Sequence, residues 1–90
     1  MQQHNKFSKF KKCAGSLLKK VREENYSSSR SKFAREYELD RGNLSKIENG
    51  IISSSLFTTW KICEALGIKF SDFAKALEEE LGDDFKLMDE

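Results

Sequence analysis

The chain has 90 residues, of which 38% are hydrophobic and 34% charged, and it contains no proline. This composition predicts one compact, mostly helical domain with a single core rather than a disordered segment. No apolar run approaches the roughly 18 residues that a membrane span needs, and no signal-peptide pattern opens the chain. We therefore expect a cytoplasmic protein without a membrane partner.

Charge is distributed unevenly along the chain, although the net charge is only +1. Residues 1–22 contain seven lysines and arginines and no acidic residue, whereas residues 51–90 contain nine acidic and four basic residues. This polarity permits an anion-binding face on a nearly neutral molecule. A solvated, lysine-rich helix face explains the basic front end almost as well.

Residues suited to metal binding or catalysis are sparse. Cys13 and Cys63 each lie within a helical pattern, so we expect two small buried thiols. His4 is the only histidine and lies in the terminal segment, with no close-spaced ligands around it. No paired carboxylates and no Cys–His couple have a workable spacing. The sequence therefore predicts no enzymatic activity, no metal and no cofactor.

Apolar residues at three- and four-residue steps predict a first helix over about residues 8–24, with lysines on its outer face. The apolar stripe consists of Phe7, Phe10, Ala14, Leu17, Leu18 and Val21. The segment NYSSS, residues 25–29, ends this helix, and one of its serines can cap the next. The second helix is expected over about residues 30–37, burying Phe33, Ala34 and Tyr37.

A third helix is expected over about residues 41–49, after a three-residue turn that ends in Asp40, a good N-cap. Leu44, Ile47 and Ile51 fall on one apolar stripe, and Gly50 follows the helix at a position that favours glycine. The outer face is polar and carries Arg41, Gly42, Asn43, Ser45, Lys46 and Asn49. A helix this short is marginal alone, so its neighbours must hold it by the apolar stripe. Glu48 projects about 60° from the buried centre, too close to the core to be freely solvated.

The rest of the chain predicts two more helices. Residues 53–55 can cap the fourth, whose inward residues are expected to be Leu56, Thr59, Trp60, Cys63 and Leu66. Phe70, Phe73, Ala74 and Leu77 mark the fifth, which runs to about Leu81. The domain then spans residues 1–82, and the acidic tail, residues 83–90, is frayed unless Phe85, Leu87 and Met88 dock. Ile51, Ile52 and Phe57 exceed what a small core needs, so we expect a dimer surface there.

The joint of about three residues between the second and third helices forces them to pack near a right angle. That arrangement is a helix-turn-helix, whose second helix lies in the major groove of DNA. Arg41 or Lys46 can donate to guanine, and the polar residues beside them can meet bases or phosphates. Gly42 lets the backbone approach the duplex closely. The first amides of the second helix, with Arg30 beside them, form an anion site suited to a phosphate.

Three segments together carry a family resemblance: LLKKVREEN, SRSKFAREYELDRGNLSKIENG and SLFTTWKICEALGIKFSDF. They resemble the Cro/repressor-type helix-turn-helix domain, the Xre family, over roughly residues 14–77. The resemblance implies an all-α, five-helix Cro/repressor-like domain in which helices 2 and 3 form the helix-turn-helix. It also implies a homodimer that binds a two-fold operator in double-stranded DNA. Because the chain has no room for a ligand-sensing domain, we expect no small-molecule ligand.

The resemblance also implies roles for single residues. Base contacts are expected from Arg41, Gly42, Ser45 and Lys46, and phosphate contacts from Arg30, Asn43 and Asn49. Glu48 is expected to pair with Arg22 of the first helix. Many family members carry glutamine at the position of Arg30, so the phosphate contact here would be charged. Glycine is usual at the position of Glu38, where a left-handed glutamate costs about 1 kcal/mol.

Two functions from different classes are compatible with these observations. The first is a sequence-specific transcriptional regulator, since small members of this kind resemble restriction–modification controllers, phage-type repressors and antitoxins. The second is a protein-interaction module of the same fold, antitoxin-like or a co-activator partner, with the acidic second half as its working surface.

Overall fold

The computed structural model describes residues 2–88, with side chains from Lys6 onward; the side chain of His4 and the last two residues of the acidic tail lie outside the described part. Five helices follow one another: α1 (Gln2–Asn25), α2 (Arg30–Glu36), α3 (Arg41–Glu48), α4 (Leu56–Ala65) and α5 (Phe70–Leu81). The prediction of an all-α, five-helix fold is confirmed. No helix within residues 2–88 has the length and apolar character to span a membrane.

Side-chain caps define where three of the helices begin. Ser29 accepts a hydrogen bond from the Lys32 amide at 3.1 Å, and Ser55 accepts one from the Thr58 amide at 3.0 Å. Each of these bonds satisfies an N–H group that has no partner within its own helix. Asp40 caps α3 in the same way.

One core joins all five helices. Its buried apolar residues are Leu17, Leu18, Phe33, Ala34, Leu44, Ile47, Ile62, Cys63, Leu66 and Phe73. Through these residues α1 packs against α3 and α5, α2 against α3, and α4 against α5. The third helix is therefore held from two sides, by α1 and by α2.

Gly15 marks the closest approach of α1 to α3. A Cβ atom at this position would overlap the carbonyl oxygen of Ile47, so only glycine allows the two helices to pack at this distance. Near the same crossing, Lys11 Nζ donates to the Ile51 carbonyl at 3.3 Å. A Cβ on Gly50, which has a φ of 74°, would lie 2.7 Å from Lys12 Cγ. The first helix thus braces the C-terminal end of α3.

Three predictions about the helices were wrong. Ile51, expected on the inner stripe of the third helix, lies beyond the end of α3 and is 58% exposed. Helix α1 begins at Gln2, well before residue 8, because the polar residues that precede the apolar stripe include no glycine or proline to stop it. On α4, Leu56 and Trp60 were expected to face inward, but they are 69% and 52% exposed, and Ile62 is buried in their place. Apolar residues lie on both faces of α4, so the helical period alone does not identify the inner one.

The tail after α5 turns back towards α1. Phe85 is half-buried, and Lys9 Nζ lies 5.5 Å from the centroid of its ring, whereas Leu87 and Met88 are exposed. Only Phe85 of the three apolar tail residues therefore docks.

The two cysteines are free thiols, Cys63 buried and Cys13 half-buried. Burial raises the pKa of both thiols, and the nearby Glu80 carboxylate raises that of Cys13 further. A raised pKa lowers the fraction of reactive thiolate, so both cysteines are suited to packing rather than to chemistry.

Candidate nucleic-acid interface

The turn between α2 and α3 sets the angle between these helices. The Leu39 amide donates to the Ala34 carbonyl at 2.8 Å, and the carboxylate of Asp40 accepts from the Asn43 amide at 2.8 Å. Glu38 adopts a left-handed φ of 55°, the conformation for which glycine is usual. Its carbonyl accepts a hydrogen bond from Lys61 Nζ of α4 at 3.2 Å. The turn is therefore fastened at both ends and from α4.

The two faces of α3 differ sharply. Leu44, Ile47 and Glu48 are buried against the rest of the domain. The opposite face is open: Arg41, Gly42, Asn43, Lys46 and Asn49 are exposed, and Ser45 is half-buried. Asn49 Nδ2 donates a weak hydrogen bond to Ser45 Oγ at 3.4 Å, which links two of these polar groups. The residues expected to contact bases or phosphates from α3 thus share one accessible surface.

Glu48 is held from beneath this surface by two arginines. Arg22 Nε lies 2.6 Å from Glu48 Oε2, and Arg22 Nη2 donates to Glu48 Oε1 at 3.0 Å. Arg30 Nη1 lies 3.2 Å from the same Oε1 atom. Arg22 and Glu48, the two residues expected to pair, are both buried, and a bidentate guanidinium–carboxylate contact is among the strongest hydrogen-bonded pairs. Helix α3 is therefore joined to α1 by charge as well as by apolar packing.

The contact between Arg30 and Glu48 was missed by sequence reasoning, which expected Arg30 only at a phosphate. The two residues lie 18 positions apart on different helices, so no helical spacing indicates that they meet. The Arg30 side chain is still 32% exposed and borders a recess that is also lined by Lys19, Glu23 and the serines at positions 27–29. The structure therefore places Arg30 between the core carboxylate and solvent.

Tyr26 fixes the loop on which that recess depends. Its hydroxyl donates to the carboxylate of Glu36, and its ring packs edge-on against Phe33, with a centroid separation of 5.0 Å. Burial against these neighbours and the hydrogen bond to Glu36 raise the pKa of Tyr26 to about 12. The phenol stays protonated near neutral pH, so this hydrogen bond holds residues 26–29 beside α2.

Comparison with known proteins agrees with this geometry. A helix-turn-helix family model matches residues 18–73, from within α1 into α5. The control protein C.MunI of Mycoplasma sp is 41% identical over 66 residues, a match that covers 73% of this chain and 89% of that protein. The family match includes Arg22, Glu48 and the whole polar face of α3. A capped four-residue turn between α2 and α3, the open polar face of α3 and these two matches together show that the chain belongs to the Cro/repressor-type (Xre) helix-turn-helix family of DNA-binding transcriptional regulators.

Proposed function

We propose that the chain regulates transcription by binding a two-fold operator in double-stranded DNA as a homodimer, with α3 in the major groove. The observation that carries this proposal is the one-sided burial of α3. Its apolar residues and Glu48 are fixed by α1 and α2, while its polar residues stay accessible. A helix presented in this way can meet base edges without losing its own support.

The side chains on α3 divide by chemistry into two groups. Arg41 and Lys46 donate to O6 and N7 of guanine, and Ser45 reaches a base edge next to them. Gly42 permits close approach, because it has no side chain to hold the duplex away. Asn43 and Asn49, with Arg30 on α2, contact phosphates and set the register of the protein on the duplex.

A homodimer is supported by an apolar surface that we call the α4 patch: Ile51, Leu56, Phe57 and Trp60, all exposed. Trp60 stacks on Phe70 of α5, with ring centroids 5.2 Å apart and planes 15° apart, which makes the patch rigid at one end. Ile52, expected in this surface, is half-buried and packs against the core. Several exposed apolar residues in one part of a small domain often mark an interface, and a two-fold partner would cover the same patch on both copies.

The named relative narrows the kind of regulator. Of the three kinds that the family resemblance suggests, a restriction–modification controller is favoured, because the Mycoplasma protein is itself called a control protein. Regulation would then depend on protein concentration and on operator arrangement.

Selection of bound sequences from a random duplex pool tests the proposal. We expect an inverted repeat whose half-site centres lie about 34 Å apart along the duplex, one helical turn, or a multiple of that distance. Affinity should fall by roughly 10³-fold or more between 50 and 200 mM salt if several phosphates are contacted. A chain that binds no duplex even at low salt would instead be the protein-interaction module, and recovery of one unrepeated half-site would refute the dimer.

A further inference from the structure

Two arginines contact Glu48, although one is enough to neutralise its carboxylate. Arg22 already contacts both carboxylate oxygens, and its side chain is only 6% exposed, so this one guanidinium neutralises and satisfies the buried carboxylate. Arg30 is a second cation on Glu48 Oε1, at 3.2 Å. The group of three therefore carries a net charge of +1, and Arg30 is its solvent-facing member.

Arg30 has donors to spare. A guanidinium has five N–H donors in a fixed plane, and one nitrogen, Nη1, is used on Glu48. The remaining donors border the recess that Lys19, Arg22, Glu23, Tyr26 and the serines at 27–29 complete. Lys19 and the net charge of +1 on the group of Arg22, Arg30 and Glu48 outweigh Glu23 by one charge, so the recess is electropositive. A phosphate oxygen can bind there while Arg30 keeps its contact with Glu48.

We propose that Arg30 is a positioning residue for α3: one guanidinium holds a DNA phosphate and the Glu48 carboxylate together, and so couples the backbone contact to the angle at which α3 meets the bases. This inference rests on the proposed function. Glu48 lies two residues after Lys46 in the same eight-residue helix. A shift of the Glu48 carboxylate therefore moves the whole of α3, including the face proposed to contact the bases.

A positioning role for Arg30 differs from a simple phosphate contact in its effect on binding specificity. A side chain that only binds a phosphate weakens binding to every sequence about equally, because phosphates carry no base identity. A side chain that also orients α3 changes the ratio between affinity for the operator and affinity for unrelated DNA. That ratio is the decisive measurement.

The test uses the full chain, the duplex obtained by selection and a scrambled duplex of the same length and composition, titrated over a range of salt. Arg30→Gln should lower the salt slope by about one and reduce the specific-to-nonspecific affinity ratio by about tenfold. Arg30→Lys should keep the slope but also reduce the ratio, because an ammonium lacks the planar fork that spans two anions. The melting temperature of each variant should stay close to the wild type, since Arg22 still pairs with Glu48.

Lys19→Gln is the matched control, because it removes one charge from the same recess without touching the groups that hold Glu48. Its affinity ratio should equal that of the wild type. An unchanged ratio in Arg30→Gln overturns the positioning role while leaving the proposed function intact. A wild-type chain that selects no duplex overturns the proposed function and the positioning role with it.

Discussion

Helices α3 and α4 pack against the core in the same way, but their exposed faces differ in polarity. Each is short, begins at a side-chain cap and is held by a narrow inner stripe. The outer face of α3 consists of hydrogen-bonding groups, whereas α4 exposes Leu56, Phe57 and Trp60. In a domain this small the inner stripe is enough to hold a helix, so the chemistry of the outer face can differ from one helix to the next, polar on α3 and apolar on α4.

The largest expected effect comes from removing the charge that anchors the inner side of α3. Glu48→Ala leaves Arg22 buried without its carboxylate, and loss of one member of a buried ion pair costs about 3–5 kcal/mol. Urea denaturation followed by circular dichroism measures the change in the free energy of unfolding. Glu23→Ala, an exposed carboxylate on α1, is the control. An unchanged denaturation midpoint in Glu48→Ala would show that the buried pair does not support α3.

The next largest effect is expected from a change in the steric fit between α1 and α3. Gly15→Ala introduces a methyl group where the Ile47 carbonyl oxygen lies, so α1 and α3 must separate, at a cost of about 1–3 kcal/mol. Gly42→Ala is the comparison, because a Cβ there lies 3.3 Å from Asp40 Oδ1, the atom that caps α3. A small shift of that oxygen offsets the gain of about 0.5–1 kcal/mol from alanine in a helix. The melting temperature should therefore fall clearly in Gly15→Ala and change little in Gly42→Ala; a stabilised Gly15→Ala would contradict the close crossing.

The outer face of α3 is tested by Arg41→Ala. We expect a loss of about 1–3 kcal/mol of binding free energy on the preferred operator and a relaxed choice at one base pair. Fluorescence anisotropy on a set of single-substitution duplexes measures both quantities. Equal weakening on every sequence would show that Arg41 contacts the phosphate backbone instead. Arg41 would then contribute to DNA binding but not to the choice of base sequence.

The smallest expected effect concerns the outer face of α4. Phe57→Ser removes the most exposed side chain of the α4 patch, at 77% exposure, and should weaken self-association by about 1–2 kcal/mol without lowering the melting temperature of the monomer. Sedimentation equilibrium gives the dissociation constant. Phe7→Ser, another exposed phenylalanine but on α1, should leave it unchanged. Equal dissociation constants for both variants and the wild type would exclude the α4 patch from the dimer.

Much of the fold was predictable because its signals are local. The caps at Asp40 and Ser55 and the glycine after α3 each act within a few residues, so the chain itself displays them. The inner face of α4 was not predictable in this way. Ile62 competes with Leu56 and Trp60 for burial, and only the placement of α5 and the core decides which side turns inward.

The candidate site likewise has one part that the sequence predicts and another that it does not. The exposed polar face of α3 follows from one helical stripe, and the expectation for Arg22 and Glu48 came from the family resemblance. The second cation, Arg30, and the close crossing at Gly15 depend on contacts between segments far apart in the chain. A charged residue at the start of a helix and a glycine inside one are common enough that neither indicates such a contact by itself.

The left-handed Glu38 has a practical consequence for anyone who would shorten this protein. Its carbonyl receives Lys61, which belongs to a helix outside the two that the turn connects. A peptide cut to residues 30–50 would therefore lose an external tether at its most strained joint, together with the lateral support from Gly15 and Arg22. A graft of residues 30–50 onto another scaffold therefore needs a lysine that reaches the carbonyl of Glu38, as Lys61 does here. The alternative is to replace Glu38 with glycine, which adopts a left-handed φ without steric cost.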